Sequence, residues 1–226
     1  MPSALIVGGS SGIGLAIARM LGANGYSLTL AGRKLDRLEA ARDGLDTTIV
    51  VADVSSEDDC ARLVDEHIAA HGGLDVLVNS AGVGIAGTVA DTSTKAWDLQ
   101  QAVNLRGAFL VTQAALPYLR ATTGYVINLA SIAGTLPTPG LGAYGASKAA
   151  LIALTRTLDR EEADAGVRAT AICPAFVDTR MAAWTGIPGE EMIAPEDCAE
   201  IVQALLRLSP HARVPVVVIE RAGGEV

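Results

Sequence analysis

A tyrosine and a lysine four residues apart, Tyr144 and Lys148, stand in the segment GAYGASKAAL (142–151). Residues i and i+4 of a helix lie on one face, so the phenol and the ammonium would be neighbours. A tyrosine has an ordinary pKa of about 10, and a nearby cation favours the phenolate and lowers that pKa. The pair is therefore suited to proton transfer, although a lone Tyr-x-x-x-Lys is more often a surface pair without a role.

A glycine-rich segment near the start of the chain is suited to phosphate binding. GGSSGIG (8–14) follows the apolar run ALIVG and opens a stretch of helical periodicity. Glycines permit a tight turn and close approach to a pyrophosphate, and the N–H groups and dipole of a helix N-terminus favour an anion. The pattern is weak alone and gains weight at the first strand of a βαβ unit. We expect cofactor contacts from Gly8, Ser10, Ser11, Gly12, Ile13 and Gly14.

The end of the second predicted strand bears on the choice between NAD and NADP. In βαβ folds that bind dinucleotides, an acidic residue at this position binds the ribose of NAD, whereas an arginine accommodates the 2′-phosphate of NADP. The sequence is LAGRK, with Gly32 in the place of the acid and Arg33 and Lys34 after it. Asp36 is a rival ribose ligand, and a solvated turn is the other alternative. The segment favours NADP, with NAD possible.

Polar and small residues also follow the third and fourth predicted strands. The third ends in ADV, with Asp53 and Val54, and the fourth in NSAG, with Asn79, Ala81 and Gly82. Ligands of open α/β sheets bind at the carboxyl ends of the strands. We therefore expect these residues to face an adenine and to shape the floor of the cofactor site, although Asp53 or Asn79 alone would more often cap a helix.

Short apolar runs alternate with helical stretches, and these elements must position the polar residues. Continuously apolar strands between helices are typical of a parallel sheet covered on both faces. The 226 residues are thus expected to form one α/β domain, 1–226, a doubly wound seven-stranded parallel sheet with helices on both faces. The predicted strands are 4–8, 27–31, 48–52, 75–79, 125–130, 167–172 and 214–220; the predicted helices are 12–24, 34–43, 56–71, 94–119, 144–164 and 195–208.

Composition argues against several classes of partner. The formal net charge of −8 argues against nucleic acid and anionic membranes, which need a basic surface. No segment approaches the roughly 20 apolar residues of a membrane span, and the start MPSALIVGG lacks the features of a signal peptide. We expect a cytoplasmic protein with buried free thiols at Cys60, Cys173 and Cys198, no metal site and no chemical role for its three histidines.

The segments GGSSGIG, ADV, NSAG and YGASK, in this order, resemble the motifs of the short-chain dehydrogenase/reductase family from residue 4 to residue 224. Each motif is weak alone, but the ordered set is specific. The resemblance implies a Rossmann fold and a catalytic set of Asn104, Ser131, Tyr144 and Lys148. Ser131 precedes Tyr144 by the interval usual in the family and would bind the substrate oxygen. Asn104 would, by resemblance, hold a water that links Lys148 to solvent.

The segment CPAFVDT (173–179) is similar to the family's nicotinamide-contacting segment. The similarity implies cofactor contacts by Pro174, Val177 and Thr179, with Thr179 at the carboxamide. Tyr144 and Lys148 would also contact the cofactor, because the lysine has three donors for the nicotinamide ribose.

The expected reaction is hydride transfer between NADP(H) and a small to medium apolar ketone, aldehyde or secondary alcohol. Mainly apolar segments at 132–143 and 180–194, the second a short lid, would close the pocket, with Met181 and Trp184 as candidate lining residues. The resemblance also implies a homodimer or homotetramer formed through helices 94–119 and 144–164.

Two alternatives remain open. A 3-oxoacyl-[acyl-carrier-protein] reductase would need basic surface for an acidic carrier, and Arg106, Arg120 and Arg180 supply little of it. A protein that senses NADP or acts as a scaffold without turnover comes from a different class. Such a protein has no need for the four proton-transfer residues, so their presence argues against it.

Overall fold

The computed structural model describes residues 1–223 and has seven parallel strands in one sheet, in the order β3-β2-β1-β4-β5-β6-β7. Helices lie between successive strands. The strands are β1 Ser3–Val7, β2 Ser27–Gly32, β3 Thr47–Val51, β4 Val76–Asn79, β5 Tyr125–Leu129, β6 Arg168–Pro174 and β7 Val216–Ile219. The helices are α1 Gly12–Ala23, α2 Leu35–Ala41, α3 Glu57–His71, α4 Thr94–Gln101, α5 Ala108–Thr122, α6 Gly142–Glu161 and α7 Pro195–Arg207, with a π-helical turn, Ala102–Gly107, between α4 and α5.

Successive side chains of each strand point to opposite faces of the sheet. Helices cover both faces, so both sets of side chains are buried. In β1, Leu5 and Val7 pack into the core beneath α3 and α5, whereas Ala4 and Ile6 pack into the core beneath α1 and α7. A strand in this position must be apolar throughout, which is the pattern that predicted a parallel sheet. The doubly wound fold of seven parallel strands is confirmed.

The predicted elements are all present among residues 1–223, with small differences at their ends. The predicted helix 94–119 extends to Thr122 and contains the π-helical turn, which apolar periodicity did not indicate. Such turns often occur at functional sites. The last strand is shorter than predicted, Val216–Ile219.

His67 lies in α3 and has a structural role in the fold. Its side chain is fully buried, with Nδ1 at 2.8 Å from Thr29 Oγ1 and Nε2 at 3.1 Å from the Gly73 carbonyl oxygen. Burial lowers the pKa of His67 to about 4, with a smaller contribution from His71. The histidine therefore ties α3 to β2 as a neutral group, away from the carboxyl ends of the strands.

The cysteines are free and buried, as predicted. In the part of the chain that the structure describes, no group of three or more His, Cys, Asp or Glu side chains is arranged to hold a metal ion. Over residues 1–223, no helix combines the length and the apolar character that crossing a membrane requires.

Candidate active site

A cleft of about 1060 Å³ opens at the carboxyl ends of the strands and brings together most of the predicted site residues. We distinguish two parts of it by their lining residues. The glycine half is lined by residues from 7–13, 32–37 and 52–54. The tyrosine half is lined by residues from 82–86, 99–103, 129–148 and 176–184.

The glycine half is built by backbone that has no room for side chains. Gly8 has φ +85°, and a Cβ placed on it would lie 2.5 Å from Ala81 N. A Cβ on Gly14 would lie 2.5 Å from the Gly8 carbonyl oxygen. Gly14 does not line the cleft, which differs from the cofactor contact predicted for it. Its role in this structure is to let α1 pack against the turn.

The N-terminus of α1 faces the cleft through Ser11, Gly12 and Ile13. Ser11 is the N-cap residue, yet its side chain makes no capping hydrogen bond. The first N–H groups of a helix lack partners within it, so this end is a favourable place for an anion. Gly8 and Ser10 also line the cleft, as expected for a phosphate-binding turn.

Three basic side chains line the far end of the glycine half: Arg33, Lys34 and Arg37. Asp36, the rival ribose ligand, does not line the cleft. Within residues 1–223 none of the three cations takes part in a salt bridge. Sequence reasoning missed Arg37; the available signal was its position one helical turn after Arg33 and Lys34, at i+4 and i+3.

Asp53 lies on the wall of the glycine half beside Val54. Its Oδ1 accepts hydrogen bonds from the Ser55 N–H at 2.9 Å and from Ser55 Oγ at 2.7 Å. The Asp53 N–H donates to Asp59 Oδ2 at 2.8 Å. These bonds fix the carboxylate at the end of β3.

Asn79 does not shape the floor of the cleft, contrary to the prediction. Its side chain is buried within the sheet, where Nδ2 donates to Thr112 Oγ1 at 3.1 Å and to Asn128 Oδ1 at 2.9 Å. The side chain points into the core that α5 covers because strand residues alternate between faces. Ser80, with Ala81 and Gly82, lines the cleft instead.

Tyr144 lies in the first turn of α6, and Lys148 lies one turn later on the same side. Lys148 is 4% exposed, and its Nζ donates to the Leu129 carbonyl oxygen at 2.6 Å. Nζ lies 5.7 Å from the centroid of the Tyr144 ring. Ser131 follows β5, accepts a hydrogen bond from the Ala133 N–H at 3.2 Å, and lies close enough to Tyr144 for its hydroxyl to affect the pKa of the phenol. The predicted tyrosine, lysine and serine therefore meet in one place.

The surroundings shift the pKa values of both Tyr144 and Lys148. Burial raises the pKa of Tyr144, and the neighbouring Ser131 hydroxyl opposes this in part. Burial lowers the pKa of Lys148 to about 8, which the neighbouring Cys173 opposes. The prediction that Lys148 lowers the pKa of Tyr144 is wrong, because burial of the phenol dominates and the ammonium is directed at the Leu129 carbonyl.

Asn104 sits in the π-helical turn and is buried. Its Oδ1 accepts from the Val83 N–H at 2.8 Å, and its Nδ2 donates to the Val83 carbonyl oxygen at 2.9 Å and to Ser147 Oγ at 3.0 Å. A Cβ placed on Gly82 would lie 3.5 Å from Asn104 Oδ1 and 3.6 Å from Lys148 Nζ. Both amide hydrogens of Asn104 are therefore engaged. A water would bind this side chain through the second lone pair of Oδ1.

The segment after β6 borders both halves. Pro174, Val177 and Thr179 line the cleft as expected. The methyl group of Thr179 is packed against the turn of the glycine half, because a Cβ placed on Gly12 would lie 2.9 Å from Thr179 Cγ2. This contact places Thr179 where the two halves meet.

The mouth of the tyrosine half is apolar. Four large side chains that line it have 36% or more of their surface exposed: Ile85, Leu99, Met181 and Trp184. Trp184 packs edge-on against Phe176 with ring centroids 6.3 Å apart. Arg180 lines the same region.

Comparisons with known proteins agree with this arrangement. The family model described as short chain dehydrogenase matches residues 2–186. An uncharacterized oxidoreductase of Staphylococcus epidermidis is 39% identical over 222 residues, which cover 96% of this chain and 95% of that protein. An uncharacterized oxidoreductase of Staphylococcus aureus is 35% identical over 215 residues, 93% of each chain. The X-ray structure of an alcohol dehydrogenase from the archaeon Thermococcus sibiricus, complexed with 5-hydroxy-NADP, is similar with a TM-score of 0.93 and 31% identity over 100% of this chain and 99% of that one.

Proposed function

The chain belongs to the short-chain dehydrogenase family of NAD(P)-dependent oxidoreductases, and we propose that it transfers hydride between NADP(H) and a small to medium apolar ketone, aldehyde or secondary alcohol. One observation carries the proposal. The Ser131 and Tyr144 side chains and the buried Lys148 line the same cleft as the phosphate-binding turn.

The residues of the glycine half fit a dinucleotide. Side chains larger than hydrogen are excluded at Gly8 and Gly14, and the uncapped N-terminus of α1 offers N–H groups to a pyrophosphate. The cleft volume of about 1060 Å³ suits a dinucleotide together with a small substrate. Asp53 would face the adenine, and Thr179 would hold the nicotinamide carboxamide.

Three cations that line the glycine half support NADP over NAD. Arg33, Lys34 and Arg37 present positive charge where a 2′-phosphate would sit, and Asp36 is turned out of the cleft. The similar archaeal alcohol dehydrogenase was solved with an NADP derivative, which agrees with the proposal.

When bound, the nicotinamide donates or accepts the hydride. The protein supplies the rest of the chemistry. In reduction, the Tyr144 phenol would give its proton to the substrate oxygen as negative charge develops there, while the Ser131 hydroxyl donates a hydrogen bond to the same oxygen. The raised pKa keeps the phenol protonated near neutral pH, as an acid in the reduction must be. Lys148 would hold the nicotinamide ribose through its ammonium donors.

The apolar mouth supports an apolar substrate. Four exposed large side chains surround the entrance, and such surface in a cleft marks a binding region for apolar groups. We propose that residues 180–194, with Met181 and Trp184, form a short lid on the single domain.

The state of the surface arginines argues against an acidic carrier protein as partner. Arg106 is paired with Glu57 at 2.9 Å, and Arg120 is paired with Glu162 at 2.6 Å. Of the three arginines considered for that role, Arg180 alone lines the cleft. A simple carbonyl compound therefore remains the better substrate.

We also propose that the protein forms a homodimer or homotetramer through the helix that comprises α4 and α5 and through α6. Trp97 and Phe109 on the first of these helices are 44% and 43% exposed, which suits an interface. Light scattering coupled to size-exclusion chromatography tests this, and a monomer at micromolar concentration would contradict it.

A panel of carbonyl compounds assayed with NADPH and with NADH tests the proposed reaction. Loss of nicotinamide absorbance with apolar ketones or aldehydes and NADPH is the expected result. Activity with acyl thioesters alone would support the acyl-carrier-protein reductase. NADPH binding without any turnover would support the sensing or scaffold protein.

A further inference from the structure

Residues 82–86 form a wall of the tyrosine half without regular secondary structure of their own. The segment follows β4 and passes beside the phenol of Tyr144. A Cβ placed on Gly84 would lie 3.8 Å from both Cδ2 and Cε2 of that ring. The position of this segment therefore determines how much space a carbonyl compound has beside the phenol.

Two side-chain amides of the neighbouring helix hold the segment. The Ile85 N–H donates to Gln100 Oε1 at 3.0 Å. The Val83 N–H donates to Asn104 Oδ1 at 2.8 Å, and Asn104 Nδ2 donates back to the Val83 carbonyl oxygen at 2.9 Å. The N–H groups of alternate residues thus point at the same helix.

The spacing of the two elements explains why this pairing works. Residues four apart on a helix are separated by about 6 Å along its axis, and residues two apart in an extended chain are separated by about 6.6 Å. Gln100 and Asn104 therefore meet Ile85 and Val83 in register, as a second strand would. Gln100 takes the place of a strand's carbonyl group at Ile85.

Gln100 has no other evident function. It is 0% exposed and does not line the cleft. Its Nε2 donates to the Ala96 carbonyl oxygen of its own helix at 3.2 Å, which satisfies the remaining polar end. A buried amide needs such partners because an unsatisfied polar group is costly. An apolar residue would fill the site, but it would leave the Ile85 N–H without an acceptor.

We propose that Gln100 is a positioning residue that fixes residues 83–86 beside Tyr144 and so sets how bulky carbonyl substrates are held. This inference rests on the proposed function, because it concerns the same cleft. Gln100 acts through the Ile85 peptide and touches neither substrate nor cofactor. Bulky substrates depend on this wall more than small ones, so their kcat/KM should respond more strongly to its loss.

Amide hydrogen exchange of the wild-type protein, measured by NMR without substrate, tests the contact itself. The N–H groups of Val83 and Ile85 should exchange slowly, whereas those of Gly84 and Ala86, which have no acceptor within residues 1–223, should exchange fast. Equally fast exchange at Ile85 would overturn the proposal. This measurement needs no turnover, so it separates the contact from the proposed function.

The variant Gln100→Met, which has similar volume and only a weak thioether acceptor, tests the consequence. We expect the Ile85 N–H to exchange about tenfold faster and the kcat/KM for a bulky aryl ketone to fall by about tenfold. Each factor corresponds to the cost of one unsatisfied N–H. The kcat/KM for a small aldehyde and the NADPH Kd should stay within about twofold, since the glycine half is untouched.

Gln101→Met is the matched control, because Gln101 bonds the Ala143 carbonyl oxygen at 3.3 Å and no residue of the wall. A loss shared equally by both substrates, or by both variants, would show a general structural role and overturn the proposal. If Gln100→Met does not fold, the exchange pattern of the wild type decides. If the wild-type protein turned over no carbonyl compound, the proposed function would be refuted. The Gln100 contact would still be tested by hydrogen exchange.

Discussion

The two halves of the cleft are built from different materials. The turn of the glycine half packs backbone against backbone at two positions, since Cβ atoms on Gly8 and Gly14 would meet main-chain atoms at 2.5 Å. In the tyrosine half, a Cβ on Gly84 would meet side-chain atoms at 3.8 Å, and large apolar side chains at the mouth remain exposed. Backbone geometry thus fixes the half that we propose for the cofactor, which is the same in every turnover. Side chains with room to move shape the half that we propose for the substrate, which can differ from one carbonyl compound to the next.

The largest expected effect is the loss of turnover in Tyr144→Phe. Removal of the proton donor should lower kcat roughly 1000-fold, within the range usual for general acid catalysis. The NADPH Kd, measured by fluorescence titration, should change little, because the glycine half supplies most of the cofactor contacts. Tyr118→Phe in α5, away from the cleft, is the control. Turnover within tenfold of the wild type would remove Tyr144 from the mechanism.

Gly14→Ala tests the claim that the glycine half has no room. A methyl group 2.5 Å from the Gly8 carbonyl oxygen must displace the turn or α1, and overpacking of this kind costs about 1–3 kcal/mol. The NADPH Kd should rise by about tenfold to a hundredfold, and the thermal midpoint should fall. Calorimetric titration and thermal unfolding measure both. An unchanged Kd would mean that the turn yields, and the contrast between the halves would fail.

The pH dependence of the two reaction directions follows from the raised pKa of Tyr144. Below that pKa the phenol is protonated, which suits reduction. Oxidation of an alcohol needs the phenolate, whose fraction grows about tenfold per pH unit until the pKa is reached. Initial rates should therefore rise with pH between 7 and 9 for alcohol oxidation with NADP and not for carbonyl reduction with NADPH. Parallel profiles in both directions would contradict this assignment.

Arg37→Ala tests the third cation of the glycine half. An exposed ion pair contributes up to about 1 kcal/mol, or about fivefold in affinity. The Kd for NADPH should rise by that factor while the Kd for NADH stays constant. Arg42→Ala is the control, because Arg42 caps the same helix outside the cleft. Equal losses for both cofactors would show that Arg37 does not contact the 2′-phosphate.

Much of the glycine half could be predicted from the sequence, since its glycines and its order of strands are requirements of backbone geometry. Gly14 and Asn79 nevertheless differ from the prediction, because neither lines the cleft. A motif shows that a residue is required but not whether it faces a ligand or the core; Gly14 packs against Gly8, and Asn79 bonds Thr112 and Asn128.

The tyrosine half was less predictable. Its pKa values depend on burial and on the direction of the Lys148 ammonium, which only the packed structure provides. Gln100 gave no signal at all, because its partner is a main-chain N–H group fifteen residues away in a segment without periodicity. Tertiary hydrogen bonds from side chain to backbone leave no trace in spacing or composition.

Gly84→Ala should have the smallest effect and is the sharpest test of the contrast with Gly14→Ala. The same methyl group is added, but here it meets the Tyr144 ring at 3.8 Å, an ordinary contact distance, and Gly84 is not among the glycines with positive φ. We expect kcat and the NADPH Kd within about twofold of the wild type, with altered KM for bulky ketones as the detectable change. A loss as large as that of Gly14→Ala would mean that the wall beside Tyr144 is as rigid as the phosphate turn. Backbone geometry would then determine which ligands bind in both halves. The apolar side chains at the mouth would admit substrates without selecting among them.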